Sequence, residues 1–370
     1  VTTEDQVDDA EAMEQAMQVA ASVRGRTSPN PWVGCVLEAP SGRIVTGATE
    51  PPGGRHAEVV ALDQAGAEAR GATVWVTLEP CSHVGRTGPC AEALVEAGVA
   101  RVVVALEDPD PKVAGTGIAR LREAGIEVSV GTGAEAVRQQ LAPYLKHRTT
   151  GRPWVVLKLA ASLDGRTAAP DGSSRWITGG AARADAHRLR AESDAIVVGA
   201  GTVRADDPSL TVRHEVEGAD PLRVVLGEVA PEARVQPALA WAGSIEDLLD
   251  ELGRRGVLQV LVEGGATVAG EFHRGGLVDH YVLYVAPAIF GGDDGRPLFA
   301  GPGAATMADV WRGAITAAVP LGGDLRIDVS PVAPSPITGP VPVVRLEDVA
   351  ADPPATDPRT DPAPDRPGGA

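Results

Sequence analysis

The chain has 370 residues, 44% of them apolar, with 50 acidic and 33 basic side chains and a formal net charge of -17. This length suits two ordinary domains, the 3% aromatic content requires aliphatic cores, and the apolar fraction excludes collagen-like and wholly disordered chains. The acidic balance excludes a broad phosphate-backbone footprint and no apolar stretch approaches the roughly 18 residues of a membrane span, so neither nucleic acid nor membrane is expected as a partner.

The polar, acidic start from Val1 to Glu11 lacks the charged and apolar regions of a signal peptide, and three cysteines cannot all pair. A reducing, cytoplasmic setting is expected. Apolar spacing predicts a helix over residues 10–21, and the turn Ser28-Pro29-Asn30-Pro31 precedes a short apolar strand at 33–37. Helix 57–69 then precedes strand 73–78, helix 91–97 precedes strand 102–106, and helix 117–124 precedes strand 127–130. Such alternation is the pattern of an α/β layer with largely parallel strands.

The polar stretch from Lys146 to Pro153 reads as a junction, after which strands at 154–159, 195–198, 223–226, 257–262 and 281–286 interleave with helices around 182–191, 245–252 and 267–274. A strand at 325–329 closes the second run. Residues 333–370, with ten prolines, six acids and three arginines, read as a disordered tail. The predicted units are therefore 10–147, 153–332 and the tail 333–370.

His56-Ala57-Glu58 opens a helix, Pro80-Cys81 follows a strand directly, and Cys90 opens the next helix. One imidazole and two thiolates at the ends of neighbouring elements suit Zn²⁺, and three ligands leave the fourth position for water, which is the catalytic arrangement. Zinc would bring the pKa of that water to roughly 7. Glu58 would shuttle its proton to a leaving amine, in the combination His-x-Glu, Pro-Cys and Cys that marks zinc deaminases. The alternatives are a closed structural site with His83 as fourth ligand, or plain buried cysteines; Cys35, within an apolar strand, reads as core.

The runs His56-Ala-Glu-Val, Thr77-Leu-Glu-Pro-Cys81-Ser-His83 and Gly85-Arg-Thr-Gly-Pro-Cys90, with eight residues between the cysteines, resemble the deaminase domain of the bifunctional riboflavin-biosynthesis deaminase/reductase family. Asn30-Pro-Trp-Val-Gly34 and Asp108-Pro-Asp-Pro-Lys-Val-Ala-Gly-Thr-Gly117 are similar to that family too. The resemblance implies that Asn30, His83 and Asp108 contact a pyrimidine and that Arg86 lies near a substrate phosphate. This chain departs from the pattern at Asp110, Gly88 and Thr49, where Asn, Pro and a phosphate-side His are usual. Arg55 is a candidate to supply the missing charge, or else a solvated arginine.

In the second half, Lys158 stands on an otherwise apolar strand, where an unpaired charge is costly; it either meets an anionic group or snorkels to the sheet edge. Glu263-Gly264-Gly265-Ala266-Thr267, between a strand and a helix, reads as a phosphate cradle, as does Gly199-Ala-Gly201-Thr202 more weakly. Arg213 suits a sugar phosphate. These runs, with Ser162-Leu-Asp-Gly-Arg and Ser174-Arg-Trp176-Ile-Thr178, resemble the same family's reductase domain, related in fold to dihydrofolate reductase. The resemblance spans about residues 10–332. It implies NADPH contacts at Ala160, Trp176, Thr202, Asp206, Gly265, Ala266 and Thr267, and substrate contacts at Ser174, Arg190, Leu210, Arg213 and Glu263. Trp176 as a core aromatic is the alternative, and Gly227-Glu228 replaces the family's usual Asp-Ser or Asp-Thr.

The expected fold is thus α/β, a cytidine-deaminase-like three-layer domain followed by a dihydrofolate-reductase-like domain. The expected activity is zinc-dependent deamination of a phosphorylated ribosylaminopyrimidine with Glu58 as catalytic group. NADPH-dependent reduction of its ribosyl group would follow, with Lys158 catalytic and Glu263 beside it. A homo-oligomer is compatible with this reading.

Overall fold

The computed structural model describes residues 7–82, 88–213, 216 and 218–331. The tail 333–370 and the expected site residues His83 and Arg86 lie outside the described residues. In chain order the first half forms α1 (Asp9–Ala21), β1 (Gly34–Glu38), β2 (Ile44–Ala48), α2 (Ala57–Ala65), β3 (Thr73–Leu78), α3 (Cys90–Ala97), β4 (Arg101–Leu106), α4 (Thr116–Glu123), β5 (Glu127–Val130), α5 (Ala134–Gln140) and α6 (Ala142–Thr150). Its sheet has the order β2-β1-β3-β4-β5. Strands β3, β4 and β5, which alternate with helices in the sequence, are parallel as expected, while toward one edge β1 runs antiparallel to both β2 and β3. Helices cover both faces, so Val102, Val103 and Val104 of central β4 are all buried and the strand reads as a continuous apolar run.

The second half forms β6 (Trp154–Ser162), β7 (Arg166–Ala168), α7 (Gly180–Ala191), β8 (Ala195–Gly199), α8 (Ala200–Asp206), β9 (Leu222–Leu226), β10 (Leu239–Trp241), α9 (Ile245–Arg254), β11 (Gln259–Val262), α10 (Ala266–Arg274), β12 (His280–Ala286), β13 (Arg296–Pro297), β14 (Ala314–Leu321) and β15 (Asp324–Ser330). Eight strands make one sheet in the order β10-β9-β8-β11-β6-β12-β15-β14, parallel from β10 to β12 and closed by the antiparallel pair β15 and β14. Helix α9 shows how locally the pattern is written: Ser244 caps it by accepting the Asp247 amide at 3.1 Å, and Leu248, Leu249 and Leu252 recur on its buried face.

The stretch from Lys146 to Pro153 differs from the predicted junction. Helix α6 runs through it to Thr150 and stops at Gly151, whose φ of 75° is left-handed, so only residues 151–153 connect α6 to β6. The helix faces both halves: Lys146 pairs with Asp279, and Nε2–H of His147 donates to the Gly253 carbonyl at 2.9 Å. Leu258, from the second half, is buried within the first half's core. Among the described residues no helix is long and apolar enough to cross a membrane.

Close backbone approach governs where α1 sits. A Cβ on Gly34 would fall 1.9 Å from the Ala16 carbonyl oxygen, so only glycine lets the helix rest on β1. Gly34→Ala is expected to lower unfolding stability by about 1–3 kcal/mol, read as a fall in the denaturant midpoint; an unchanged midpoint would contradict this packing.

Candidate active sites

Two cavities among the described residues open where strands end. In the first half, β3 ends at Leu78 and delivers Cys81 three residues on, α2 starts just after His56, and α3 starts on Cys90. The Nδ1 of His56 lies 3.6 Å from Sγ of Cys81 and 3.2 Å from Sγ of Cys90, and the three donor atoms lie within 4.8 Å of one another. A tetrahedral zinc with bonds of roughly 2.0 Å to N and 2.3 Å to S places its N and S ligands about 3.5 Å apart, so the cluster fits that ion. It is the one such group of metal-ligating side chains found among the described residues. The fourth-ligand alternative rested on His83 and falls outside them.

Glu58, in the first turn of α2, is buried beside the cluster. Burial pushes its carboxyl up to about 7, with the Cys81 charge adding to the rise. A carboxyl near neutrality can both take and return a proton. A hydrogen bond from Cys90 pulls the Cys81 thiol well below the usual thiol range, which favours the thiolate form that a metal ligand needs. Cys35 is fully buried in the core, as expected.

A cavity of about 360 Å³ reaches this cluster and is lined by Asn30, His56, Glu58, Cys81 and Asp108, together with Glu79, Asp110, Tyr144 and Arg148. Sequence reasoning missed Glu79, Tyr144 and Arg148. The Glu79 carboxylate, buried, accepts the amides of Asp108, Gly115, Gly117 and Ile118 at 3.2, 2.9, 2.9 and 3.1 Å, which locks the loop carrying Asp108 to the end of β3. The Tyr144 hydroxyl donates to Asp108 at 3.0 Å. Glu79 lies two residues before Cys81 within the motif itself, whereas α6 offered no signal. Two other features of the sequence are accounted for differently: Arg55 is held by Glu50 and Asp63, and the Thr49 hydroxyl accepts the Val33 amide at 3.1 Å.

In the second half a larger cavity, about 710 Å³, is lined by Lys158, Ala160, Ser174, Trp176, Arg190, Thr202, Asp206, Leu210, Arg213 and Glu263, which brings together expected residues from six segments of the chain. Lys158 meets an anion, as its strand position required: its Nζ lies 3.9 Å from Glu263, and 5.7 Å from the centre of the Tyr284 ring. Arg190 grips Glu263 with two hydrogen bonds of 2.7 and 2.9 Å. Burial raises the Glu263 carboxyl, but Arg190 and Lys158 outweigh it and hold the group down at about 2. Trp176 is 67% exposed with Arg183 at 4.6 Å from its ring, so the core-aromatic alternative fails.

Gly265 caps α10, with Ala266 and Thr267 in its first turn, and its position faces the Thr202 hydroxyl of α8. Glycine is needed next door: a Cβ on Gly199 would meet Val268 at 2.9 Å and one on Gly264 would meet it at 2.5 Å. His187, also missed, lines the cavity and accepts the Arg213 amide at 3.1 Å through Nδ1.

The molecule is therefore a zinc-type pyrimidine deaminase joined to a dihydrofolate-reductase-like reductase. Residues 6–106 match the model of the cytidine and deoxycytidylate deaminase zinc-binding region, and residues 153–314 match that of the RibD C-terminal domain. The riboflavin biosynthesis protein RibD of Mycobacterium tuberculosis (strain ATCC 25618 / H37Rv) is 49% identical over 294 residues, covering 76% of this chain and 86% of that one. RibD of Acinetobacter baumannii superposes with a TM-score of 0.83 at 39% identity, over 88% of this chain and 99% of that one. The diaminohydroxyphosphoribosylaminopyrimidine deaminase/5-amino-6-(5-phosphoribosylamino)uracil reductase of Thermotoga maritima gives 0.79 at 33% identity, over the same 88% of this chain and 99% of its own. The chain belongs to the RibD family, the bifunctional zinc-dependent deaminases and NADPH-dependent reductases of riboflavin biosynthesis.

The Glu263 geometry sets a pH dependence. Its folded pKa of about 2 lies below the ordinary 4.5, so its stabilisation is present above that ordinary value and is lost as pH falls through 4.5 toward 2. Glu263→Gln is expected to cost about 3 kcal/mol at neutral pH, and urea unfolding should show the deficit shrinking in acid. A deficit independent of pH would contradict the pairing.

Proposed function

We propose that the first half, residues 10–147, hydrolyses the C2 amino group of 2,5-diamino-6-ribosylamino-4(3H)-pyrimidinone 5′-phosphate. The second half, 153–332, would reduce the ribosyl group of the resulting aminouracil to ribityl. The observation that carries the first assignment is the convergence of His56, Cys81 and Cys90 within 4.8 Å in one cavity with buried Glu58. His56, Cys81 and Cys90 hold zinc, which supplies an acidified water at neutral pH. Asn30 and Asp108 orient the pyrimidine, with His83 and Arg86 as further contacts. Glu58 takes a proton from the attacking water and delivers it to the departing nitrogen, so water enters, ammonia leaves and a carbonyl remains at C2.

Ala160, Trp176, Thr202 and Asp206 in the larger cavity, with the turn Gly265, Ala266 and Thr267 at the α10 N-terminus beside Thr202, would hold NADPH, which when bound would supply the hydride for C1′ of the opened sugar imine while the nitrogen takes a proton from solvent. Ser174, Arg190, Leu210 and Arg213 hold the sugar phosphate. Lys158 places a positive charge beside the sugar, and Glu263, kept ionised by Arg190, holds that lysine in position. The three free cysteines, two of them in the metal cluster, support a reducing, cytoplasmic compartment.

Glu58→Gln keeps the metal ligands and removes the proton shuttle. It is expected to retain zinc, measured by metal analysis, while ammonia release falls at least about 100-fold; normal ammonia release would overturn the assignment. Lys158→Met should lower NADPH oxidation with the aminouracil phosphate and leave ammonia release intact, and NADPH oxidation at the unaltered rate would remove Lys158 from the mechanism.

A further inference from the structure

A phosphorylated pyrimidine must bring a dianion into a cavity whose described lining contains four carboxylates, Glu58, Glu79, Asp108 and Asp110. An anion there needs a cation, and the candidates are few. Arg55 is already engaged by two carboxylates, Glu50 and Asp63. Arg86, which the family resemblance places near the phosphate, lies outside the described residues, and among the described residues lining the cavity the one basic side chain apart from the metal-ligating His56 is Arg148.

Arg148 comes from α6, the helix that joins the two halves, one turn beyond Tyr144 on the same face. Its guanidinium lies over the Tyr144 ring, 5.0 Å from the ring centre. Of its five N–H donors one meets the Pro29 carbonyl at 3.2 Å, and Nε is enclosed without a hydrogen-bond partner. Asp110 forms an ion pair with it at 3.7 Å from Nε, beyond hydrogen-bond distance. Helix α6 is itself anchored on the far side by Lys146 to Asp279 and by His147 to Gly253, so the arginine is presented from a fixed base.

We infer that Arg148 binds the phosphate of the deamination substrate and so sets the preference of the first cavity for a phosphorylated ribosylpyrimidine, an inference that rests on the substrate class proposed above. A planar, permanently charged fork matches phosphate oxygens two at a time, which a lysine point charge does not reproduce.

The test is steady-state ammonia release by the full chain carrying Arg148→Gln or Arg148→Lys, with zinc content and thermal midpoint as folding controls and D-ribose 5-phosphate as a competitive inhibitor. Arg148→Gln is expected to raise KM and the inhibition constant of ribose 5-phosphate together by about 10- to 100-fold, with kcat within about threefold of wild type. Arg148→Lys should fall between. Unchanged KM, a loss confined to kcat, or no inhibition of the wild type by ribose 5-phosphate would each overturn the inference. Failure of the wild type to release any ammonia from the diaminopyrimidinone phosphate would instead overturn the substrate reading beneath it.

Discussion

The carboxyl ends of parallel strands fix where chemistry occurs in both halves. There the strands stop, the chain turns into helix N-termini, and backbone N–H groups and side chains from segments remote in sequence face one crevice. In the first sheet the ends of adjacent β3 and β4 deliver Cys81 and Asp108. In the second, β6, β8 and β11 carry or deliver Lys158, Thr202 and Glu263 to one cavity. The antiparallel strands serve otherwise: β1 and β2 complete one edge of the first sheet, and β15 and β14 extend the second beyond β12.

Buried charges hold these ends in place, and each is satisfied in a different way. Glu79 is neutralised by backbone amides, four of them, and thereby ties the Asp108 loop to the zinc-ligand strand. Glu263 is neutralised by side chains, Arg190 and Lys158, and its pair is of the kind that is costly to break from one side only. At Glu58 burial and the Cys81 charge outweigh the hydrogen bonds and the His56 charge that favour the anion, and the carboxyl titrates near neutral pH, which is the condition a proton shuttle needs. Three buried glutamates thus take three roles, set by what faces each carboxylate.

Much of this was legible in the sequence because short-range patterns and final positions coincide. The apolar run at 73–78 is β3 residue for residue, and His56, Cys81 and Cys90 are read from motif spacing because each sits at an element boundary. Helix α6 was illegible for a physical reason: its residues 146–150, Lys-His-Arg-Thr-Thr, bury little apolar surface and are held by contacts to both halves. With it went Tyr144 and Arg148, which enter the first cavity only through that helix. Strand β14 was equally hidden, being an edge strand whose Ile315 and Val319 are exposed and whose pairing comes wholly from β15. The acidic character of the chain is no obstacle to anionic ligands, because arginines such as Arg190 and Arg213 are concentrated at the second cavity.

Two sites acting in sequence on one substrate make a stoichiometric demand. The diaminopyrimidinone ribosyl phosphate and NADPH, supplied together to the full-length zinc-loaded chain with ammonia and NADPH absorbance followed at once, should yield one ammonia for each NADPH oxidised, with NADPH loss lagging behind ammonia release. NADPH oxidation that proceeds without ammonia, or ahead of it, would contradict the assignment of the two cavities to consecutive steps.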